Sequence, residues 1–250
     1  LQRYFLANEA FNESSVKITG DDAKHIGRVM RMESGDTVIC CTYEGDCYEV
    51  SLTSVEQDAI DAKVIRKLLD DPELPVHVTV AQGLPKGDKL ETIVQKGTEL
   101  GAASFIPVTM DRSIVKWQKA KQDKKRQRLE KIAKEASEQS HRRIVPHIKD
   151  LATTKELSQA FSNYDHVFVA YEETAKKGEQ HLLSAALTSV NKQDKILLVI
   201  GPEGGFSPEE IEQMVESGAT CCAFGPRILR TETASMYGLS VISYQLEILG

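Results

Sequence analysis

The spacing of apolar and polar positions changes character near residue 72. Before it, short apolar runs are cut by turn signals. Arg3-Tyr4-Phe5-Leu6 is one such run, and Val38 to Tyr43 and Cys47 to Leu52 flank Glu44-Gly45-Asp46. This pattern predicts strands, two of them joined as a hairpin. Gly20 to Ile26 reads as a helix start capped by Asp21 or Asp22, with Arg28 and Arg31 following on one face. Many short strands with turn signals predict a small β-barrel.

Asp70-Asp71-Pro72-Glu73-Leu74-Pro75 is polar and proline-bearing, and sets a boundary between residues 1–72 and 73–250. Beyond it, near-continuous apolar runs occur at Val76 to Ala81, Phe105 to Val108, Val167 to Ala170, Ile196 to Ile200 and Cys221 to Phe224. Helical stretches at 87–100, 121–141, 208–217 and 231–248 separate or follow them. Alternation of this kind predicts an α/β domain whose parallel sheet is covered on both faces. The last helix spaces Met236, Leu239, Ile242 and Leu246 for burial against its own sheet or against a second copy.

Composition narrows the class. No run approaches the ~18 apolar residues of a membrane-spanning helix. The N-terminus lacks a secretory apolar stretch, so a soluble, cytoplasmic protein is expected. The five cysteines form no C-x-x-C pair. They read as buried strand residues in a reducing compartment, and no metal site is expected. Net charge is −6, yet residues 112–143 hold 12 Lys or Arg against four acids, leaving −14 on the remainder. A basic stripe on an acidic body is a localised footprint for a polyanion, unless it is simply a solvated face. If six to eight of its cations met phosphates, log K would fall against log salt with a slope of roughly −5 to −7.

Four segments carry candidate chemistry. Ile200-Gly201-Pro202-Glu203-Gly204-Gly205-Phe206-Ser207-Pro208 runs from a buried strand through a glycine-rich turn into a helix capped by Ser207, with Pro208 first. Ligands of open α/β sheets bind at such strand ends, where glycine lets backbone approach closely. It is neither a G-x-G-x-x-G nor a P-loop, which disfavours a nucleotide-dependent oxidoreductase. Phe224-Gly225-Pro226-Arg227-Ile228-Leu229-Arg230-Thr231-Glu232-Thr233-Ala234 repeats the strand-to-helix arrangement, with cations at its edge. Gln82-Gly83-Leu84-Pro85-Lys86-Gly87-Asp88-Lys89 leads into a helix where Lys96 and Glu99 make either a solvated pair or part of a site. The basic stretch ends in Ser137-Glu138-Gln139-Ser140-His141-Arg142-Arg143, whose histidine is open to a proton-shuttle, a packing or a phosphate-facing role.

GPEGGFSPEE, RILRTETA, QGLPKGDK and EASEQSHRR, in that placement, resemble the RsmE family, as do RYFL and HIGRVMRMESGD near the start. Its members methylate N3 of a uridine in 16S ribosomal RNA of the small subunit and belong to the SPOUT methyltransferase superfamily. The resemblance implies a trefoil-knotted parallel-sheet domain preceded by a small PUA-like RNA-binding β-barrel domain, and a homodimer. It implies S-adenosyl-L-methionine held by Ile200, Gly201 and Gly205 of one loop and by Ile228, Leu229, Thr231 and Ala234 of the other. His141 and Phe224 stand where relatives more often carry a small residue and Leu.

Methylating N3 requires removal of its proton and stabilisation of the resulting anion. Glu203 or Glu232 is expected as the base or as the group ordering the target, with Glu203 favoured because the glycine loop fixes it. Either could instead only brace its loop. Arg230 and Arg112 are expected to stabilise the anion or a phosphate. Arg3, Arg28 and Arg31 are expected to grip RNA, with Lys86, Arg142 and Arg143 and the 112–143 segment as further contacts. Two rivals remain: a non-catalytic RNA-binding ribosome-assembly factor, and a SPOUT methyltransferase acting at another RNA position.

Overall fold

The computed structural model describes residues 1–171 and 183–249. The chain divides into two compact units, Leu1–Glu73 with Ser137–Val145, and Leu74–Ala136 with Pro146–Gly250. The crossing at Glu73 falls in the proline-bearing stretch. Those bracketing 137–145 carry no composition signal, because what recruits that segment is pairing at a distance rather than a local pattern.

In the first unit, β1 (Arg3–Leu6), β2 (Ser15–Thr19), β3 (Thr37–Thr42), β4 (Cys47–Val55) and β5 (Ala59–Lys67) form a sheet ordered β1-β3-β4-β5-β2. β1 runs parallel to β3, and the remaining pairs are antiparallel. Side chains alternate between faces. Tyr4, Leu6, Val38, Cys40, Val50 and Leu52 therefore meet Val16, Ile18 and Ile60 in the main core. Phe5, Ile39, Cys41 and Cys47 form a second cluster on which Val145 packs.

Two expectations are corrected here. Cys41 and Cys47 stand opposite each other across the β3–β4 hairpin and are joined by a disulfide, whereas Cys40, Cys221 and Cys222 are free thiols. Only the hairpin register reveals that pairing. Nor does Asp21 or Asp22 cap a helix. Gly20, at φ +68°, turns the chain out of β2 so that α1 (Gly20–Lys24) begins before the acids, with a single π-turn over His25–Val29 behind it. The aspartates lie in the first turn, where they face the positive helix end. Arg31 takes φ +53° beyond that turn, so it shares no helical face with Arg28. Both remain exposed, beside exposed Val29 and Met30.

The second unit has β6 (His77–Gly83), β7 (Ser104–Thr109), β8 (His147–Ile148), β9 (Ala152–Thr153), β10 (His166–Ala170), β11 (Lys195–Ile200) and β12 (Thr220–Cys222). Their order is β12-β10-β11-β6-β7-β8, with β9 also on β7, and every pairing is parallel. The helices are α2 (Lys89–Glu99), α3 (Gln122–Gln139), α4 (Thr154–Gln159), α5 (Leu183–Ala186), α6 (Pro208–Glu216) and α7 (Thr231–Ser243). Ala81, Ile106, Val167, Val169, Leu197 and Val199 point to one face, where they meet Leu157 of α4 and Met214 of α6. The alternate positions point the other way. A Cβ on Gly97 of α2 would lie 2.8 Å from the Phe105 ring, and one on Gly238 of α7 would lie 2.7 Å from Leu198. Both helices thus sit tight on that second face. Leu239 and Ile242 are fully buried, so α7 spends that side on its own sheet. No helix of the described residues is long and apolar enough to cross a membrane.

Candidate active site

The carboxyl ends of β10 and β11 and the loop after β12 open on a cleft of about 970 Å³. Ile200, Gly201 and Gly205 line it from the loop after β11, and Ile228, Leu229, Thr231 and Ala234 from the stretch entering α7. Arg112, Glu203 and Arg230 line it as well, so three of the four residues expected to act in chemistry meet at one place. Ile228 sits at the rim, 78% exposed.

Local chemistry explains the loop shapes. Ser207 Oγ accepts from Glu210 N–H at 3.2 Å while Glu210 Oε2 accepts from Ser207 N–H at 2.9 Å, a reciprocal cap with Pro208 as the first helical residue. The buried Glu210 carboxylate also accepts from Asp111 N–H at 3.0 Å and from Thr154 Oγ1 at 2.7 Å. The end of β7 and the start of α4 are thereby fixed to the glycine loop. Gly204 is required by contact, since a Cβ there would lie 2.9 Å from Arg112 Cβ and 3.0 Å from Arg112 O. Arg112 Nη1 in turn donates to Gly204 O at 3.3 Å.

Gln82, fully buried at the end of β6, ties the two lining segments together. Its amide donates to Thr231 Oγ1 at 2.7 Å and accepts from Ser235 Oγ at 2.6 Å. Thr231 Oγ1 itself donates to Gly201 O at 2.6 Å. The Thr231 hydroxyl is therefore committed to holding the loop. In the sequence, Gln82 is only one letter of a motif, and nothing there marks this role.

Lys89, at the start of α2, is a second residue that the sequence does not single out. Its Nζ donates to Glu203 Oε1 at 2.9 Å and stands 3.5 Å from Glu232 Oε2. Glu203 Oε1 accepts from Lys86 N–H too, at 3.1 Å. Burial pushes the Glu203 carboxyl upward, but the bonds from Lys89 and from Lys86 N–H outweigh it and leave the group below the usual carboxylate range. The bond to Glu203 raises Lys89 against its partial desolvation. An ammonium thus lies between two carboxylates. Glu232 Oε2 is buried without a hydrogen-bond partner among the described residues, and Glu232 does not line the cleft. The one available sequence signal is the acid–base–acid content of the motifs, which names no partners.

The expected RNA-contacting residues divide. Arg28, Arg31 and Lys86 are exposed. Arg3 and Arg142 are not, and this corrects their reading. Arg3 Nη1 donates to the carbonyls of His141 and Arg142 at 2.7 and 2.5 Å. Arg142, only 3% exposed, pairs with Glu73. Arg143 is half-buried and donates from Nε to Gly45 O at 2.9 Å. Glu73 Oε1 accepts its N–H at 2.8 Å. The segment 137–145 is a clasp over the second face of the first unit's sheet, and its cations are engaged within the protein. Lys96 and Glu99 pair at 2.8 Å on the surface of α2 and line no part of the cleft.

Comparison with known proteins bears on the chain as a whole. A family model described as an RNA methyltransferase domain matches residues 72–243, and one described as an RNA methyltransferase PUA domain matches residues 18–65. The ribosomal RNA small subunit methyltransferase E of Bacillus subtilis (strain 168) is 48% identical over 252 residues, spanning 100% of this chain and 98% of that protein. The one from Synechocystis sp. is 29% identical, spanning 98% of this chain and 78% of that protein. Among solved structures, the ribosomal RNA small subunit methyltransferase E of Neisseria gonorrhoeae bound to S-adenosyl methionine matches with a TM-score of 0.83 and 25% identity over 97% of each chain.

Proposed function

Because the chain belongs to the ribosomal RNA small subunit methyltransferase E family of SPOUT methyltransferases, we propose that it methylates N3 of a uridine in 16S ribosomal RNA using S-adenosyl-L-methionine. The observation that carries this reading is the cleft at the sheet's carboxyl end, with Glu203, Arg112 and Arg230 on its walls. The cleft fits the donor. Ile200, Phe206, Phe224 and Leu229 offer apolar surface for an adenine ring, and the glycine loop offers backbone at close range. When bound, the donor supplies a methyl group already activated by a sulfonium, so the transfer needs no metal.

The remaining work falls to the chain. Glu203, held as a carboxylate by Lys89, takes the N3 proton. Arg230 and Arg112 stabilise the negative charge left on the uracil ring or hold a neighbouring phosphate. Holding N3 in line with the methyl carbon supplies much of the remaining acceleration. Arg28 and Arg31 of the PUA domain, with Lys86, are the RNA contacts.

The reading includes a trefoil threading of the second unit, which rests on the chain's place among the SPOUT methyltransferases. It also includes a homodimer, checked by analytical ultracentrifugation, and a cytoplasmic location, checked by cell fractionation.

The test of the activity is incubation with methyl-labelled S-adenosyl-L-methionine and small-subunit particles or naked 16S RNA from a strain lacking this protein. Nucleoside analysis should find label in N3-methyluridine. Label in another nucleoside overturns the target position. RNA binding without any label overturns catalysis and leaves an assembly factor.

A further inference from the structure

The basic stripe is not uniform. Within α3, Arg126 pairs with Asp123, Glu130 and Asp150, Arg128 pairs with Glu91 at 2.6 Å, and Lys131 pairs with Glu135 at 3.8 Å. Lys116, Lys119, Lys121, Lys124 and Lys125 precede or open that helix, are exposed, and have no carboxylate partner among the described residues. The uncompensated charge is therefore concentrated between residues 112 and 125. Among those lysines stands Trp117, the only tryptophan of the chain, half-buried with Lys125 Nζ 5.1 Å from its ring centroid. That cation–π contact holds the indole beside the lysines. The strip begins at Arg112, which lines the cleft, so it leads away from the cleft's edge.

We propose that the strip from Arg112 to Lys125 binds single-stranded RNA, with Trp117 as a stacking platform for an unpaired base flanking the target. The proposal rests on the RNA-methyltransferase reading and adds to it where and how the strand is held. N3 lies on the Watson–Crick edge of uracil, so a uridine methylated there must be unpaired. Its neighbours in an open strand present the flat faces that an aromatic side chain stacks on, which a duplex keeps hidden. Lysines spaced along the strip suit the intervening phosphates.

The single tryptophan makes the test direct. In the full-length protein, indole fluorescence is followed while a short single-stranded RNA oligonucleotide is added, and affinity is measured in parallel by anisotropy of labelled RNA. Quenching by RNA but not by heparin, a polyanion without bases, is the expected result. Trp117→Ala should weaken RNA binding about 5- to 150-fold, and Trp117→Phe should restore most of it. Lys121→Gln with Lys124→Gln should make the log–log salt slope shallower by about 1.4. Binding of S-adenosyl-L-methionine should be the same in all variants, which also shows that they fold. RNA that binds without quenching and equally well to Trp117→Ala overturns the strip while leaving the methyltransferase reading intact. Equal quenching by heparin overturns the stacking role and reduces the strip to a charge surface suited to any acidic partner. Absence of RNA binding overturns both.

Discussion

Lys89 Nζ donates to Glu203 Oε1 at 2.9 Å, joining the first turn of α2 to the glycine loop after β11. The pair makes the loop's position depend on a charge. Because folding lowers the Glu203 carboxyl, its stabilisation is complete above the unfolded value of about 4.3 and is lost as pH falls through the lower folded value. Both side chains are over a quarter exposed, so solvent screening keeps the gain small. Denaturant melts of wild type and Lys89→Met should therefore differ at pH 7 and converge once the pH falls below the folded Glu203 value. A gap that stays constant across that range contradicts the assignment.

Glu203→Gln should lower single-turnover methylation by about 10²- to 10⁴-fold while leaving donor affinity unchanged. Glu232→Gln, whose carboxylate is set back from the cleft, should cost less. Rapid-quench kinetics with labelled donor separate the two. Equal losses in both variants would move the proton acceptor from one glutamate to the pair.

Gly83 lies under the second residue of the glycine loop. A Cβ there would come within 2.6 Å of Pro202 Cδ and 2.8 Å of Met110 Sδ. Gly83→Ala should destabilise the protein by about 1–3 kcal/mol through overpacking. It should also weaken binding of S-adenosyl-L-methionine, measured calorimetrically. Stability lost with donor affinity intact would show that the loop absorbs the strain elsewhere.

Arg142 and the pair Arg28 and Arg31 should behave oppositely. Arg142→Ala strands Glu73 in a largely buried setting and should cost about 3–5 kcal/mol of stability. Arg28→Glu with Arg31→Glu should leave the melting midpoint unchanged and weaken RNA binding. A reversal of those two results would return Arg142 to the RNA surface.

These residues show what sequence alone conveys. Near-continuous apolar runs announce five of the seven strands described in the second unit, because full burial on both faces leaves no polar alternation to misread. The two-residue β8 and β9 are too short to leave a run. Ser207-Pro208 announces the start of α6, because capping is a local event. Arg142 and Glu73 are 69 residues apart, and their pairing reads in the sequence as one more basic cluster and one more linker acid. Gln82 is hidden for the same reason, since its partners lie about 150 positions later. Long-range polar contacts leave no periodicity behind.

Thiol counting checks the Cys41–Cys47 bond. Burial pushes the Cys40 and Cys222 thiols up to about 12, and Cys221 is raised as well, so the native protein should alkylate slowly at pH 8. Unfolded without reductant it should take up three alkyl groups, and with reductant five, by intact mass. Five without reductant would exclude the Cys41–Cys47 bond.

The clasp at 137–145 bears on how this gene can be divided or recombined. The chain passes between its two units at 73/74, again at 136/137, and once more at 145/146. A fragment ending at residue 72 would leave Phe5 and Ile39 without the Val145 side of their cluster, and Arg3 without the carbonyls it holds. The complementary fragment would carry a nine-residue excursion that keeps Glu73 but loses the sheet face it packs on. Exchange of the first unit between relatives therefore requires two inserts to move together, one covering residues 1–73 and one covering 137–145. Lineages are expected to inherit the two parts as one piece.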